Sequence, residues 1–536
     1  MFLTFLFFLL LSNGLNTRPD LSASYSRIGL IIIFYAFISN ILSLYITYLE
    51  KGIGLYGGLF GATSLSHTFQ LFIFISCALI LSMTGFFPRK KYLNKSPNFL
   101  ETISKKVKQY TNIVNNVLEQ FTIIEYALII LFVITGATLL LISADLGSIY
   151  LSLELQSFSL YIISSIHRNS ESSTGSALTY FLLGGLSSCF ILLGIGLIYA
   201  NSSVTNLDNV YSLISESEIS TFISGWYIHE YIFYSLLLIS VGFLFKIAAA
   251  PFHWWSPDVY DGVPTVVTSF IAVLGKIAIL IIFLELVHYS SSLLYSAIQL
   301  YSWTTSLTIS CFFSLIIGTL LGLTQTRIKR LLAYSTISHI GFILLSLTVH
   351  SIESYQAFLF YIFQYILTNI NVFFILISIG FSLYLYFTNV FEFNNLYEKN
   401  NSPIQLINQL KGFFSINPLL SLALIVTIFS FIGLPPLIGF FAKQMTLTAA
   451  LDHNREILVL IAILTSVVGA VYYLYIIKTT YFEQTDYLRP YGPNISIANI
   501  YSLTISILTI SITLFIVFPD QILNMCNILA DIGFSY

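Results

Sequence analysis

Three lysines lie in apolar stretches that would ordinarily exclude charge. Lys246 ends the run LLLISVGFLFK, Lys276 lies within SFIAVLGKIAILIIF, and Lys443 lies within GLPPLIGFFAKQ. Glu154, within DLGSIYLSLELQSFSLYII, is the most centrally placed acidic residue of such a stretch. A charged group in hydrocarbon costs roughly 2.5–3.5 kcal/mol on insertion scales and usually marks a functional site. Because burial disfavours the charged form of each group, these side chains are suited to relay protons.

A lysine in an apolar helix can also extend its side chain to the membrane surface. Lys276 lies too far into its predicted helix for this explanation, so we favour a functional role. Glu125 and Glu285 lie nearer the ends of their predicted helices, where an interfacial carboxylate is the simpler interpretation.

Pro251 follows Lys246 by five residues. Proline removes a backbone donor and clashes with the preceding turn, so the helix should break or kink beside the lysine. Such a break at membrane depth is tolerated only where protein or water satisfies the backbone. The alternative is a helix that ends at the membrane surface, with Trp254 and Trp255 as an aromatic belt. That alternative accounts for the tryptophans but leaves the lysine unexplained.

A second break is predicted close to Lys443. Pro435 and Pro436 interrupt the apolar run 416–450, which is too long for one straight span. Two interrupted helices, one in each half of a chain, are typical of transporters built from inverted repeats.

Composition places the whole chain in a membrane. Of its 536 residues, 57% are hydrophobic and only 9% are charged, whereas a soluble domain has about a quarter charged. The net charge of −2 gives no indication of a nucleic acid partner. The four cysteines lie far apart without a C-x-x-C pair, so neither a disulfide framework nor a zinc or iron–sulfur site is predicted.

Apolar runs of spanning length predict an all-α integral membrane protein with about fourteen transmembrane helices. They fall near residues 2–12, 28–48, 69–87, 122–143, 147–166, 177–200, 231–250, 265–288, 303–323, 331–349, 356–388, 416–450, 456–478 and 497–518. We interpret the first as a retained span because it lacks a basic leader and a cleavage site. The predicted hydrophilic connections are 88–121, 201–229 and 389–415, and a short, weakly amphipathic tail follows Pro519.

Basic residues are distributed asymmetrically between the predicted loops. Loops after odd-numbered spans hold 17 of the 22 basic residues, Lys329 among them, whereas the opposite side holds only Lys51 and Arg455. Lys246, Lys276 and Lys443 are the three basic residues that belong to neither set of loops. This asymmetry obeys the positive-inside rule and predicts an even number of spans with both termini on the outer side.

The two breaks fall at matching places in the predicted order of spans. Spans 4–8 and 9–13 form two sets of five, each with its broken helix, spans 7 and 12, in fourth place. Because a unit of five spans inverts its topology, the two sets predict inverted repeats. The predicted segments are three N-terminal spans with a basic loop, two five-helix repeats, and a last span with its tail, at residues 1–121, 122–288, 301–480 and 481–536.

Other signals are weak. His339, in AYSTISHIGF, could extend a polar path or be a hydrogen-bonded core histidine. The stretch 52–57 matches G-x-G-x-x-G but follows an apolar helix, not a strand, so no nucleotide site is predicted. No metal cluster, Walker lysine or pair of haem ligands is recognisable, which argues against an ATPase or a redox carrier.

Four stretches together resemble the antiporter-like membrane subunits of respiratory complex I, a family that shares its outline with multisubunit cation/proton antiporters. The stretches are LELQSFSLYII, FKIAAAPFHWWSPDVYDGVPT, TQTRIKRLLAYSTISHIGF and GLPPLIGFFAKQ, within residues 120–480. One paralogous type has glutamate where this chain has Lys443, and another has a long lateral C-terminal helix. The segment PDVYDG distinguishes this chain from both, and the Ile/Phe/Tyr/Asn-rich composition of the chain favours an AT-biased organelle genome of a fungus.

The resemblance implies roles for the buried charges. Glu154 and Lys246 would form a modulating pair, Lys276 the central relay, and Lys443 the terminal proton site. The chain would bind no cofactor, because NADH, FMN, the iron–sulfur clusters and ubiquinone would be held by other subunits. Its partners would be neighbouring membrane-arm subunits and lipids, in the mitochondrial inner membrane, with both termini facing the intermembrane space.

Two other functions remain open from the sequence. The chain could belong to a multisubunit antiporter that exchanges Na⁺ or K⁺ for protons. It could also be a purely structural membrane scaffold, in which case the buried lysines would be dispensable for proton pumping.

Overall fold

The computed structural model describes residues 2–15, 22–45, 52–85, 125–167, 170–220, 226–290, 303–387, 404–484 and 499–535. The basic connection 88–121 lies outside them. The described chain is almost entirely helical, with one short hairpin of strands β1 (Ile53–Leu55) and β2 (Phe60–Ala62). Its α-helices are α1 (Phe2–Leu15), α2 (Ser22–Leu44), α3 (Ser64–Gly85), α4 (Glu125–Leu141), α5 (Leu146–Ser165), α6 (Glu171–Ser202), α7 (Leu207–Ser220), α8 (Trp226–Ile247), α9 (Trp255–Gly262), α10 (Thr265–Tyr289), α11 (Thr304–Leu323), α12 (Ile328–Leu347), α13 (Ile352–Phe387), α14 (Pro418–Ile432), α15 (Ile438–Asp452), α16 (Glu456–Tyr481), α17 (Asn499–Leu514) and α18 (Pro519–Ser535).

Many of these helices have the length and composition of membrane spans. Among the described residues, nine helices are long and apolar enough to cross a membrane, or ten if the bent pair α17 and α18 counts as one. Four shorter apolar segments lie in α1, α4, α8 and α14. The all-α, multi-spanning membrane class predicted from composition is therefore confirmed.

Three helices form the centre of the molecule. The apolar windows of α12 and α13 are each 89% buried and that of α10 is 94% buried, against 33% for α16. A helix that is apolar on every face is stable only when other helices surround it. α10, which holds Lys276, is therefore enclosed by protein, whereas most of the surface of α16 is exposed.

Two segments are helical where the sequence analysis predicted none. α7 lies within the predicted connection 201–229, and α18 lies in the predicted tail and turns away from α17 by 88°. In α7, Leu207 and Val210 are buried while the intervening Asp208 is exposed. A search for continuous apolar runs misses such helices because only one of their faces is apolar.

The first interrupted span is α8 followed by α9. α8 ends at Ile247, and the backbone of Ala248 has a left-handed φ of 65°. The residues up to α9 include Pro251. Trp255 is buried, and its indole N–H donates to the carbonyl oxygen of Phe245 at 2.9 Å. The same carbonyl accepts from the backbone N–H of Ala248 at 3.1 Å, so the indole is a second donor to the frayed end of α8.

The second interrupted span is α14 followed by α15. α14 ends at Ile432, and Gly433 follows with a φ of 85°. This left-handed conformation suits glycine, which has no side chain to clash. Pro435 and Pro436 lie between Gly433 and the start of α15 at Ile438.

Ion pairs fasten α9 to the start of α12. Arg327 pairs with Asp261, and Arg330 pairs with Asp258 at 2.8 Å and with Asp261 at 3.1 Å. We refer to these four residues as the Asp–Arg cluster. It joins the short helix after the first break to the helix that carries His339.

Lys329 is a correction to the sequence analysis, which assigned it to a loop. The residue is 2% exposed, and its ammonium donates to the carbonyl oxygen of Val263 at 2.6 Å. Its neighbours in sequence, Arg327 and Arg330, do reach the surface. A count of charges along the chain cannot separate these cases because the acceptor lies 66 residues away.

Glycine lets α11 and α12 approach closely. A methyl group on Gly318 would lie 2.7 Å from the backbone nitrogen of Ser338, whereas one on Gly196 in α6 would meet nothing within 4 Å. We expect Gly318→Ala to lower the free energy of unfolding by about 1–3 kcal/mol, the usual cost of overpacking. Gly196→Ala is the control and should leave stability unchanged or slightly raised. Unfolding of the detergent-solubilised protein measures both, and equal losses would contradict this packing.

The Asp–Arg cluster gives a second prediction. The side chain of Asp261 is 9% exposed and forms ion pairs with two arginines, whereas that of Asp258 is 61% exposed and pairs with one. Asp261→Asn should cost about 1–3 kcal/mol, because it weakens charge-assisted hydrogen bonds in a buried setting. Asp258→Asn should cost less than about 1 kcal/mol, as exposed pairs do. The same unfolding measurement compares them, and a larger loss for Asp258→Asn would refute the assignment.

Candidate functional site

Glu154 and Lys246 form an ion pair. The ammonium of Lys246 lies 3.0 Å from Glu154 Oε1 and 3.5 Å from Ser157 Oγ. Their side chains are only 6% and 14% exposed, for lysine and glutamate respectively. α5, which carries Glu154, is fixed at its start by Asp145, whose carboxylate accepts from the amide of Gly147 at 2.7 Å. The pair therefore joins a capped helix to the last turn of the interrupted helix α8.

A small cavity extends from this pair toward α10. Its lining includes Lys246, Gln156, Ser157, Tyr161 and Gly275, the residue before Lys276. The cavity offers about 20 Å³ to water-sized spheres, enough for one water molecule, which needs roughly 10–15 Å³. Hydroxyl and amide groups in the lining could bind that water. The space between Lys246 and α10, the helix of Lys276, thus contains one site with polar lining.

Lys276 is enclosed at the centre of the molecule. It is 1% exposed, and its ammonium donates to Thr336 Oγ1 at 3.2 Å. The ammonium also lies 5.7 Å from the centre of the Tyr260 ring, within range of a cation–π contact. Among the described residues it has no carboxylate partner. A hydroxyl and an aromatic face thus replace the counter-charge that Lys246 has.

Lys443 is bound by the end of α14. Its ammonium donates to the carbonyl oxygens of Phe431 at 3.0 Å and Ile432 at 2.8 Å, and lies 5.2 Å from the centre of the Phe342 ring. The last carbonyls of a helix lack intrahelical donors and carry the negative end of its dipole. The second break therefore creates the acceptors that hold this lysine.

His339 lies beside the site of Lys443. One ring nitrogen, Nδ1, lies 2.7 Å from the hydroxyl of Tyr361, and the other, Nε2, lies 3.4 Å from that of Tyr473. The histidine ring is 5.2 Å from the ring of Phe431, whose carbonyl binds Lys443. The sequence allowed a core histidine or a member of a polar path. This buried residue has hydroxyl partners on both nitrogens, which is compatible with either role.

The sequence analysis missed a row of polar residues on α13. Tyr361, Tyr365 and Asn369 recur at every fourth position of FYIFQYILTNIN and are all nearly inaccessible. Tyr365 donates its hydroxyl to the carbonyl of Ala272, one turn before Lys276, at 3.2 Å. This spacing places the three side chains on one helix face. The row was detectable as a period of four, but tyrosine was counted among the hydrophobic residues.

The structure therefore brings the predicted residues into two groups linked by α10 and α13. Glu154 contacts Lys246, and the lining of one cavity reaches the neighbour of Lys276. Lys443 and His339 approach each other through Phe431.

Comparison with known proteins identifies the family. Residues 143–469 match the family model described as NADH:quinone oxidoreductase/Mrp antiporter, TM. This interval contains all four buried charges proposed from the sequence and both interrupted helices.

Two relatives have substantial identity. The chain is 45% identical over 459 residues to NADH-ubiquinone oxidoreductase chain 2 of Rhizopus oryzae, covering 86% of this chain and 81% of the relative. It is 34% identical over 405 residues to NADH-quinone oxidoreductase subunit N of Pelagibacter ubique, covering 76% and 78% respectively.

The fold is also known from a solved assembly. A chain of respiratory complex I from Thermus thermophilus, determined with bound aureothin, aligns with a TM-score of 0.71 at 24% identity. The alignment covers 98% of this chain and 97% of that one. The sequence matches and the shared fold agree: this chain belongs to the NADH:quinone oxidoreductase/Mrp antiporter membrane family, in the group of NADH-ubiquinone oxidoreductase chain 2 and NADH-quinone oxidoreductase subunit N.

Proposed function

We propose that this chain is a proton-translocating, non-redox membrane subunit of a respiratory NADH:ubiquinone oxidoreductase. The observation that carries the proposal is the series of enclosed cationic side chains, each with a different kind of partner. Lys246 has a carboxylate, Lys276 a hydroxyl, and Lys443 two backbone carbonyls. Membership of a family whose members are named for this oxidoreductase supports the same function.

The relay works by changing the partner of one lysine at a time. When Glu154 moves away, protonated Lys246 loses its counter-charge in a medium that solvates ions poorly, and it gives up its proton. Water in the adjoining cavity carries the proton toward Lys276. From there the proton passes by way of the hydroxyls of Tyr365 and Tyr361 and the ring of His339 to the region of Lys443.

Quinone reduction takes place elsewhere in the complex in this proposal. The chain holds no cofactor of its own, and other subunits of the complex hold NADH, FMN, iron–sulfur clusters and ubiquinone. The chain lies in the mitochondrial inner membrane with both termini in the intermembrane space. The excess of basic residues on the opposite side supports that orientation.

We extend the proposal to the topology. Fourteen spans result if α1, α4, α8 with α9, and α14 with α15 each cross the membrane together with the longer helices. Residues 122–288 and 301–480 then form the inverted repeats, flanked by segments 1–121 and 481–536. In both repeats the interrupted helix brings a lysine close to residues with left-handed backbone, Ala248 or Gly433, which supports an internal repeat.

A cation/proton antiporter subunit is the second candidate, because the family model includes Mrp antiporters. Purification separates the two functions. We expect the chain to co-purify with NADH dehydrogenase activity, whereas isolation only with antiporter partners would support Na⁺ or K⁺ exchange.

Loss of either later lysine should abolish proton pumping in an assembled complex. Lys276→Ala and Lys443→Ala each remove a proton carrier that no neighbouring described cation can replace. The measurement is the number of protons delivered per NADH oxidised in vesicles containing the purified complex. Lys411→Ala is the control, because Lys411 lies 3.7 Å from Glu483 in a surface pair with both side chains more than a quarter exposed. Normal pumping by both core variants would favour a structural scaffold.

The Glu154–Lys246 pair should show strong energetic coupling. Lys246→Met alone should cost about 3–5 kcal/mol of stability by stranding a buried carboxylate. Adding Glu154→Gln should recover much of that loss, because neither charge then remains. The exposed pair of Lys411 and Glu483 provides the matched control, with a coupling of about 0.2–1 kcal/mol. Additive losses for Glu154 and Lys246 in a double-mutant cycle would contradict the buried pair.

A further inference from the structure

A separate group of titratable side chains lies at the far end of α10. Glu285 and His288 lie in its last two turns, His350 in the loop between α12 and α13, and Tyr355 in the first turn of α13. The rings of His288 and His350 are nearly parallel, with centres 6.3 Å apart, and the His350 ring is 5.7 Å from that of Tyr355. Glu285 lies close enough to Tyr355 to act on its hydroxyl electrostatically, and we call these four residues the outer cluster. None of them belongs to the relay proposed above.

The outer cluster and the Asp–Arg cluster lie at opposite membrane surfaces. α10 begins just after α9, and α12 begins just after Arg327, so both helices start beside the Asp–Arg cluster. Both reach the outer cluster at their other ends. The 25 residues of α10 extend about 37 Å at 1.5 Å per residue, more than the hydrocarbon core of about 30 Å. The outer cluster is therefore on the side away from the basic loops.

A dry layer separates Lys276 from Glu285 along α10. Every residue from 277 to 284 is apolar and no more than 4% exposed. The layer spans about 13 Å of helix rise between the two charged residues. Proton transfer straight along α10 is therefore blocked.

α13 carries hydroxyl groups on both sides of this layer. Tyr361, which binds His339, and Tyr355, a member of the outer cluster, lie six residues apart on α13. Their separation along the helix is about 9 Å. The same helix thus connects the polar centre to the cluster.

The ring of His350 suits transient proton binding. Burial, with a smaller contribution from the neighbouring His288, lowers the pKa of His350 to about 4. The ring is therefore neutral near pH 7 and quickly releases any proton that it accepts. Other titratable side chains on the elements packed against α10 and α13 near this end are His67 of α3, Asp208 of α7, Tyr289 of α10, Glu353 of α13 and Asp520 of α18.

We propose that the outer cluster is the proton-release site of this chain, an inference that rests on the proposed function. A proton at the Lys443 site passes back through the ring of His339 and the hydroxyl of Tyr361, and then through water, to an imidazole nitrogen of His288 or His350. It moves on to the carboxylate of Glu285 and then to bulk water on the outer side. Each group returns to its starting protonation state, so one proton enters the cluster and one leaves.

The test compares variants of the assembled complex in vesicles. Glu285→Gln should slow proton release through this chain by about 10²-fold, as loss of a general acid–base group does, and so lower the protons delivered per NADH oxidised. It should also shift the pH of the release compartment at which pumping is half-inhibited, which a merely structural defect would not do. Glu285→Asp should restore much of the function. Glu353→Gln, an exposed carboxylate in the first turn of α13, is the matched control and should pump normally.

A second variant tests the same proposal if the complex with Glu285→Gln does not assemble. His350→Asn removes the ring in a loop whose left-handed backbone, with a φ of 53°, asparagine tolerates. It should produce the same shift in the release-side pH dependence. Unchanged stoichiometry and pH dependence in the assembled variants, with pumping lost in Lys276→Ala, would overturn the release site and leave the proposed function intact. Normal pumping by Lys276→Ala would instead refute the proposed function.

Discussion

The cost of placing charge in a medium that solvates it poorly governs this structure. Every enclosed lysine described above has a partner, and the partners differ. Lys246 has a carboxylate, Lys276 a hydroxyl and a ring, Lys443 two helix-end carbonyls, and Lys329 the carbonyl of Val263. The acceptors of Lys443 and Lys329 are backbone carbonyls beside the interrupted helices. They are available because the carbonyls inside an intact helix are already hydrogen-bonded. The broken spans are therefore part of the compensation for charge.

These differences in partner determine what each site can do. A carboxylate can move away and withdraw a full counter-charge, so the Glu154–Lys246 pair can be switched. The carbonyls that hold Lys443 are fixed in the backbone and cannot withdraw without unwinding α14. Lys276 has only a neutral hydroxyl beside an aromatic face, so its proton is held by no counter-charge among the described residues. In the relay that we propose, the switchable pair at one end and the fixed site at the other would give the path a direction.

Charge and periodicity along the sequence predicted part of this arrangement. The three buried lysines were identified because every other basic residue could be assigned to a loop on one side of the membrane or the other. The breaks were predicted because proline cannot continue a helix. The contact of Glu154 with Lys246 could not be predicted from residue types, since it joins positions 92 apart. Lys329 was misassigned for the same reason. Tyr361 and Tyr365 were missed because tyrosine was counted as a hydrophobic residue, whereas it is their hydroxyl groups that form the hydrogen bonds.

The Asp–Arg cluster explains how the two halves of the path are held in register. α9 follows the break after Lys246, and its carboxylates bind Arg327 and Arg330 at the start of α12. α12 carries Thr336, the partner of Lys276, and beyond it His339. Tyr260 of α9 also faces Lys276. A shift of the backbone after Lys246 would therefore move α9, which contacts Lys276 through Tyr260 and is bound to α12, the helix of Thr336. A change at the Glu154–Lys246 pair would then reach Lys276 through packed helices and not through a loop alone.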